Sequence, residues 1–361
     1  MIAPRLVFAI SADYARRTGG WIYNQRLLDE LRRLGWTVED LVLPAGFPTP
    51  DAAARAASAA AFRGLPDGTL VVVDQLCLGV MPEVAAEQGA RLRQVMIVHH
   101  PLALEGDACA AVRAESECRA LANVALVLAT SQPTGESLRR DYGVGSDRLV
   151  VGLPGIDRHP PRPLRPEGGE LRLLGVGAVV PRKDHGLLLE ALAGLADRPW
   201  RLRIVGDLDR APAHVTGLRG LLARYGLTDR VEFAGILEGE AFEATWSQSD
   251  LYVAASRHEG YGMAVAEAVA RGLPVVTTTA GAVESWLDRQ AALVVPAGDL
   301  LALRGALARA FDEPALRQSL RQGARAAAAA LPRWEETATV VDAALRRLLA
   351  ASLASSRPKG R

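Results

Sequence analysis

Residues 250–278 read DLYVAASRHEGYGMAVAEAVARGLPVVTT. The apolar run after Asp250 suits a strand, Gly260 and Gly262 suit a tight turn, and the small apolar residues from Met263 suit a buried helix. Gly272 stops that helix, and Pro274 opens a second apolar run. Strand, turn, helix and strand in this order make a parallel unit, with strands continuously apolar because both faces are covered. Two acids interrupt it: Glu259 in the turn, and Glu267 among alanines inside the helix. A carboxylate sunk there without a partner is costly, so a ligand bearing hydroxyl donors is one way to satisfy it. A nearby arginine or helix end is the other.

Working outward, the same rhythm fills the chain. Before residue 158 the apolar runs are RLVFAI, WTVEDLVL, TLVVVD, QVMIV, VALVLAT and RLVVGL. After residue 170 they are LRLLGVG, RLRIVG, RVEFAG, DLYVAA, LPVVTT and AALVVP. Helical stretches separate them. In the first, Trp21, Asn24, Leu27, Leu28, Leu31 and Leu34 share one face, and Gly35 ends it. The expected class is α/β, with two Rossmann-like, doubly wound parallel-sheet domains. The stretch RHPPRPLRPEGGE at 158–170, with four prolines, divides them. The predicted organisation is a domain over 1–158, a linker over 159–170, a second domain over 171–333, and a closing helix with a basic tail over 334–361. Residues 52–62 read as an alanine-rich helix.

Composition excludes several classes. The chain has 361 residues, nearly half hydrophobic, with 42 basic residues against 41 acidic. No net field points to nucleic acid. Only Lys183 and Lys359 are lysines, which makes Lys183, in a glycine-rich neighbourhood, conspicuous. Cys77, Cys109 and Cys118 lack metal-binding or disulfide spacing and read as reduced thiols. The opening MIAPRLVFAI is too short for a signal peptide, and no apolar run approaches a membrane span. A cytoplasmic protein is expected, with peripheral membrane contact left open.

In open α/β sheets ligands gather at the carboxyl ends of strands. Gly19 and Gly20 precede a helix there, where free N–H groups favour an anion; a plain tight turn explains them equally. His99 and His100 end the run VMIV, and imidazole suits hydroxyl or phosphate contacts near neutral pH. Gly175 and Gly177 invite a dinucleotide reading, but Val180 stands where a third glycine belongs and no acid ends the next strand. Arg182 and Lys183 lie just before a helix, in reach of an anion. Gly260 and Gly262 allow a backbone to approach a ligand closely.

These blocks resemble the family-4 (GT4) retaining glycosyltransferases of GT-B fold. GVGAVVPRKDH, RLRIVGD, VEFAGIL, the opening stretch and AALVVPAGD follow the family's order across 171–300. The first half resembles it more loosely, through TGGWIYNQRLLDELRRLGW, VHHP, ATSQPTGESLRRDYGV and LPGID. The resemblance implies two domains facing a cleft, with the C-terminal helix crossing back to the N-terminal domain. It gives Glu259 the hydroxyls of the transferred sugar and Glu267 the nucleotide ribose. Gly260, Tyr261, Gly262 and Met263 would line donor sugar and phosphate, and Lys183 would bind the diphosphate. Gly20, with Gly19, would lie beside the phosphates and His99, with His100 as substitute, near the sugar. Gly235, Ile236 and Leu237 would border the base. The family commonly has arginine where this chain has Ala178, and Arg182 is expected to compensate.

The function so implied is metal-independent transfer of a sugar, with retention, from a UDP- or GDP-sugar to an acceptor hydroxyl on a small molecule, glycan or lipid. No cofactor and no nucleic-acid partner is expected. The alternatives are a hydrolase or epimerase of sugar nucleotides, a non-catalytic sugar-nucleotide-binding protein, and an NAD-dependent oxidoreductase. Arg16, Arg17, Trp21, Arg32 and Arg33 would serve a lipid acceptor or an ordinary solvated helix face.

Overall fold

A computed structural model describes residues 3–15, 18–105, 109–160 and 169–355. Most of the proline-rich stretch, together with Arg16, Arg17 and the basic tail, lies outside the described residues. The chain divides into two compact units: Gly20–Gly155 with the first strand and the segment from Pro332, and Ile156–Leu331 with the short segment ending at Gly19.

The first unit holds β1 (Arg5–Ser11), β2 (Thr37–Leu43), β3 (Leu70–Asp74), β4 (Arg93–Val98), β5 (Leu126–Ala129) and β6 (Leu149–Val151). They form one six-stranded sheet ordered β2-β1-β3-β4-β5-β6, parallel throughout. Ala9, Val71, Val73, Met96, Val98 and Val127 fill its core. The last helix, Trp334–Ser355, belongs to this unit. Trp36 Nε1 donates to Asp342 at 2.6 Å, and Thr337 donates to the Leu153 carbonyl. A methyl group on Gly155 would sit 2.2 Å from Trp334 N, so glycine is what lets the chain pass there.

The second unit holds β7 (Leu171–Val176), β8 (Trp200–Val205), β9 (Val231–Gly235), β10 (Leu251–Val253), β11 (Val275–Thr278) and β12 (Ala292–Val295). Its six strands run β12-β11-β10-β7-β8-β9, again all parallel. Leu173, Leu189, Trp200, Ile204, Leu251 and Leu303 are core. Read from β9, the sequence order is third, second, first, fourth, fifth, sixth. The order therefore reverses between β7 and β10, the place at which ligands gather in sheets of this kind.

Two strands depart from the continuous apolar reading: β2 is largely exposed along its length, and β8 is open on one side. In β8, Arg201 and Arg203 face water, in ion pairs with Glu170 and Glu232 at 2.9 and 2.8 Å. One face of β8 is open where cover on both was expected. Among the described residues no helix is long and apolar enough to cross a membrane.

Candidate active site

The loops leaving β7 and β10 meet at the reversal point of the second unit. After β7 the chain makes a 3-10 turn, Pro181–Lys183. Asp184 follows in left-handed conformation, with φ 46° and ψ 45°, and caps the helix His185–Ala193 through the Leu187 N–H. After β10 comes the loop carrying Glu259, then the helix Met263–Ala270 behind Gly262. Gly262 has φ +89°, and a methyl group there would lie 2.5 Å from Val283 Cγ2, so no other residue type fits without movement.

The two loops are cross-linked residue by residue. Arg257 N–H donates to the Arg182 carbonyl at 2.9 Å, and Arg182 Nη1 donates to the His258 carbonyl at 2.9 Å. Lys183 Nζ donates to Glu259 Oε1 at 2.6 Å, and Ser256 Oγ donates to the same oxygen at 2.6 Å. Arg182 Nη1 stands 3.6 Å from Glu259 Oε2. Burial opposes a charge on Glu259, but Lys183 and Arg182 outweigh it and hold the carboxyl at about 2. The result is a buried carboxylate, ionised at neutral pH, with two cations on it.

Gly177 has a role different from the one its motif implied. Its φ is +143°, and a methyl group there would lie 3.0 Å from Lys183 Cε and 3.1 Å from Nζ. The glycine makes room for the lysine stem, which passes over it.

Glu267 sits one helix further on, partly buried. Burial pushes its carboxyl up, Arg271 pulls it down, and Asp157 and Glu243 add to the rise, leaving it at about 7. Arg271 is occupied elsewhere: its Nη2 pairs with Glu243 at 2.7 Å, and its guanidinium lies 4.7 Å over Trp246. Glu259 and Glu267 both act on Tyr252 of β10, whose phenol is pushed up by burial and then by these two charges. Lys183 and Glu259 thus meet in the loops beyond β7 and β10, and Glu267 stands on the helix that follows. Gly235 ends β9 and Ile236 and Leu237 follow it, with β7 and β8 between that strand and β10, and Ile236 is 45% exposed despite its size.

His99, His100 and Gly20 belong to the first unit. There Asp74, fully buried, accepts from Asn24 Nδ2 at 2.7 Å and faces His99 Nε2 at 3.3 Å. Facing a carboxylate, Nε2 carries a hydrogen. His100 Nε2 is 2.7 Å from Glu105 Oε1, and the turn after it is tied down by Glu117, which accepts from the Leu102 N–H at 2.8 Å. Gly19 and Gly20 are the first residues of the helix Gly19–Arg33 and not residues ahead of it. Arg32 and Arg33 pair with Asp29 and Glu30 on their own helix, as on a solvated face. Sequence reasoning missed Ser256, Asp184 and Arg257. Ser256 alone left a signal, three residues before Glu259. Among the described residues no group of three or more His, Cys, Asp or Glu side chains could hold a metal ion.

Residues 170–313 match the family described as Glycosyl transferases group 1. The chain is 29% identical to MMP alpha-(1->4)-mannosyltransferase of Mycolicibacterium hassiacum, over 85% of this chain and 78% of that one. It spans 55% of the D-inositol 3-phosphate glycosyltransferase of Xylanimonas cellulosilytica, at 28% identity over 60% of its own length. Sucrose-phosphate synthase from Thermosynechococcus elongatus superposes with TM-score 0.80 at 22% identity, covering 96% of this chain and 100% of that one. Anabaena HepE, solved with UDP and glucose, superposes with TM-score 0.75 at 17% identity, covering 96% and 100%. These two likenesses show the GT-B fold.

Proposed function

We propose that the chain, whose residues 170–313 match the group 1 glycosyl transferases, moves a sugar from a UDP- or GDP-sugar to an acceptor hydroxyl, with retention and without a metal. The observation that carries this reading is the pair Lys183–Glu259, 2.6 Å apart at the point where the strand order reverses. A diphosphate-linked sugar offers one end to each partner. Its phosphates take Lys183 and Arg182, and its sugar hydroxyls donate to Glu259. The ligand thus replaces an internal ion pair by ion pairs to phosphate on one side and hydrogen bonds from hydroxyls on the other, and neither charge is left buried alone.

Glu267 accepts from the ribose diol, the amides of Gly260–Met263 border the sugar and phosphate, and Gly235–Leu237 border the base. His99 hydrogen-bonds a sugar hydroxyl, His100 is its substitute, and the amides of Gly19 and Gly20 meet phosphate. In the reaction the bond from the anomeric carbon to the diphosphate oxygen breaks, with positive charge growing on the sugar. The acceptor oxygen bonds to that carbon on the same face, and its proton passes to the departing phosphate. The protein contributes position and charge. Lys183 and Arg182 neutralise the leaving group where Ala178 cannot.

Relatives named for inositol phosphate and mannosyl transfer support polyols and sugar phosphates as first acceptors to try. The test is incubation with UDP- and GDP-sugars, with and without such acceptors, following nucleoside diphosphate release and the anomeric proton coupling of the product. Acceptor-dependent release with unchanged anomeric configuration is expected. Release that ignores every acceptor would make the protein a hydrolase, and an inverted product would refute retention.

A further inference from the structure

Asp184 is the only non-glycine residue with positive φ among the described residues. It stands immediately after Lys183, where the left-handed turn lets the following helix leave in one direction while the lysine side chain turns back over Gly177. A left-handed non-glycine residue persists only where its surroundings hold it. Here one carboxylate oxygen caps the Leu187 N–H and the other accepts from Arg257 Nε at 2.7 Å. Arg257 in turn sends its backbone N–H to the Arg182 carbonyl. It thus grips the residues on both sides of Lys183 without touching Lys183. On its own loop it stands two residues before Glu259.

We propose that Asp184 and Arg257 form a positioning latch that sets Lys183 against Glu259. The latch rests on the reading of those two residues as donor-binding groups. Its separate character comes from exposure. The Arg257 side chain is 69% exposed, so removing it takes little from the stability of the fold, whereas misplacing the charged pair it registers changes how a diphosphate is met.

The sequence supplies an unusually clean probe, because the full chain holds two lysines, Lys183 and Lys359. Protein labelled at lysine Cε and Nζ gives two side-chain NMR signals, assigned by Lys359→Arg. Arg257→Met, Arg257→Lys, Asp184→Asn and Asp184→Gly are compared with the parent, together with the double variant Asp184→Asn/Arg257→Met. Titration calorimetry with UDP-glucose and GDP-mannose gives affinity and stoichiometry, and turnover gives kcat and KM.

In Arg257→Met and Asp184→Gly, the Lys183 signal is expected to move toward that of a solvated lysine while the Lys359 signal stays. Turnover falls roughly tenfold, with stoichiometry and melting temperature held. Arg257→Lys recovers part of the loss, and the double variant is no worse than the poorer single, as for two halves of one device. An unmoved Lys183 signal with parental kinetics in Asp184→Gly and Arg257→Met would overturn the latch, as would losses that multiply in the double variant. If the parent binds no nucleotide sugar but the Lys183 signal moves as expected, the latch geometry stands and the donor reading fails.

Discussion

The proposed role of Glu267 in holding the ribose predicts a donor affinity that depends on pH, with a sign that separates ligand binding from folding. Its carboxyl titrates at about 7, against an ordinary 4.5. Ribose hydroxyls donate to the ionised form, so binding favours the carboxylate. With that pKa the group is about 90% ionised at pH 8 and about 10% ionised at pH 6, roughly a tenfold difference in competent protein, or about 1.4 kcal/mol. Affinity for UDP-glucose or GDP-mannose is therefore expected to fall about tenfold from pH 8 to pH 6. Nucleotide sugars suit this assay because their own phosphates do not titrate there. In the ligand-free protein the sign reverses. The folded-state pKa lies above the unfolded one, so the folded chain holds this proton more tightly. Its contribution to stability is complete below about pH 4.5 and is lost as pH rises through about 7. Calorimetry and melting at pH 6, 7 and 8 on the parent and on Glu267→Gln read both effects. The variant is expected to bind more weakly at pH 8, to lose the affinity slope, and to gain up to about 3 kcal/mol of stability at pH 8 relative to the parent. A parent and variant with identical affinity slopes would refute the reasoning.

Three further outcomes are expected. Lys183→Ala should lower kcat by roughly 10²–10³-fold, the usual cost of removing one preorganised charge-stabilising donor, and unimpaired kinetics would contradict its assignment. Arg182→Ala should lower both turnover and donor affinity; if neither changes in steady-state assays, Arg182 does not compensate for Ala178. Gly177→Ala places a methyl group 3.0 Å from Lys183 Cε at φ +143°. Both donor affinity and stability should fall, the latter by about 1–3 kcal/mol in chemical denaturation, and an unchanged variant would mean that the lysine stem has room to spare.

The sheets were legible because parallel strands covered on both faces leave a local mark, an unbroken apolar run. β8 escaped that rule for a non-local reason: Arg201 and Arg203 pair with Glu170 and Glu232 on either side, and no window of sequence contains those pairs. Glu259, Glu267 and Lys183 stood out because buried acids and a rare lysine are conspicuous by chemistry alone. The service of Gly177 did not, since a glycine that admits a phosphate and one that admits a lysine stem are the same letter. Nor did Asp184, because left-handed backbone is signalled chiefly by glycine. Its partner Arg257 is 73 residues away. The helix boundary at Gly19 was misread because glycine there serves equally before a helix or as its first residue.

The most direct test of the account is calorimetric titration of the full chain with a panel of UDP- and GDP-sugars, beside the triple variant Lys183→Ala/Glu259→Ala/Glu267→Ala. The account predicts one nucleotide sugar bound per parent chain and none by the triple variant when it remains folded by circular dichroism. Equal binding to both proteins, or no binding of any member of the panel to the parent, would contradict it.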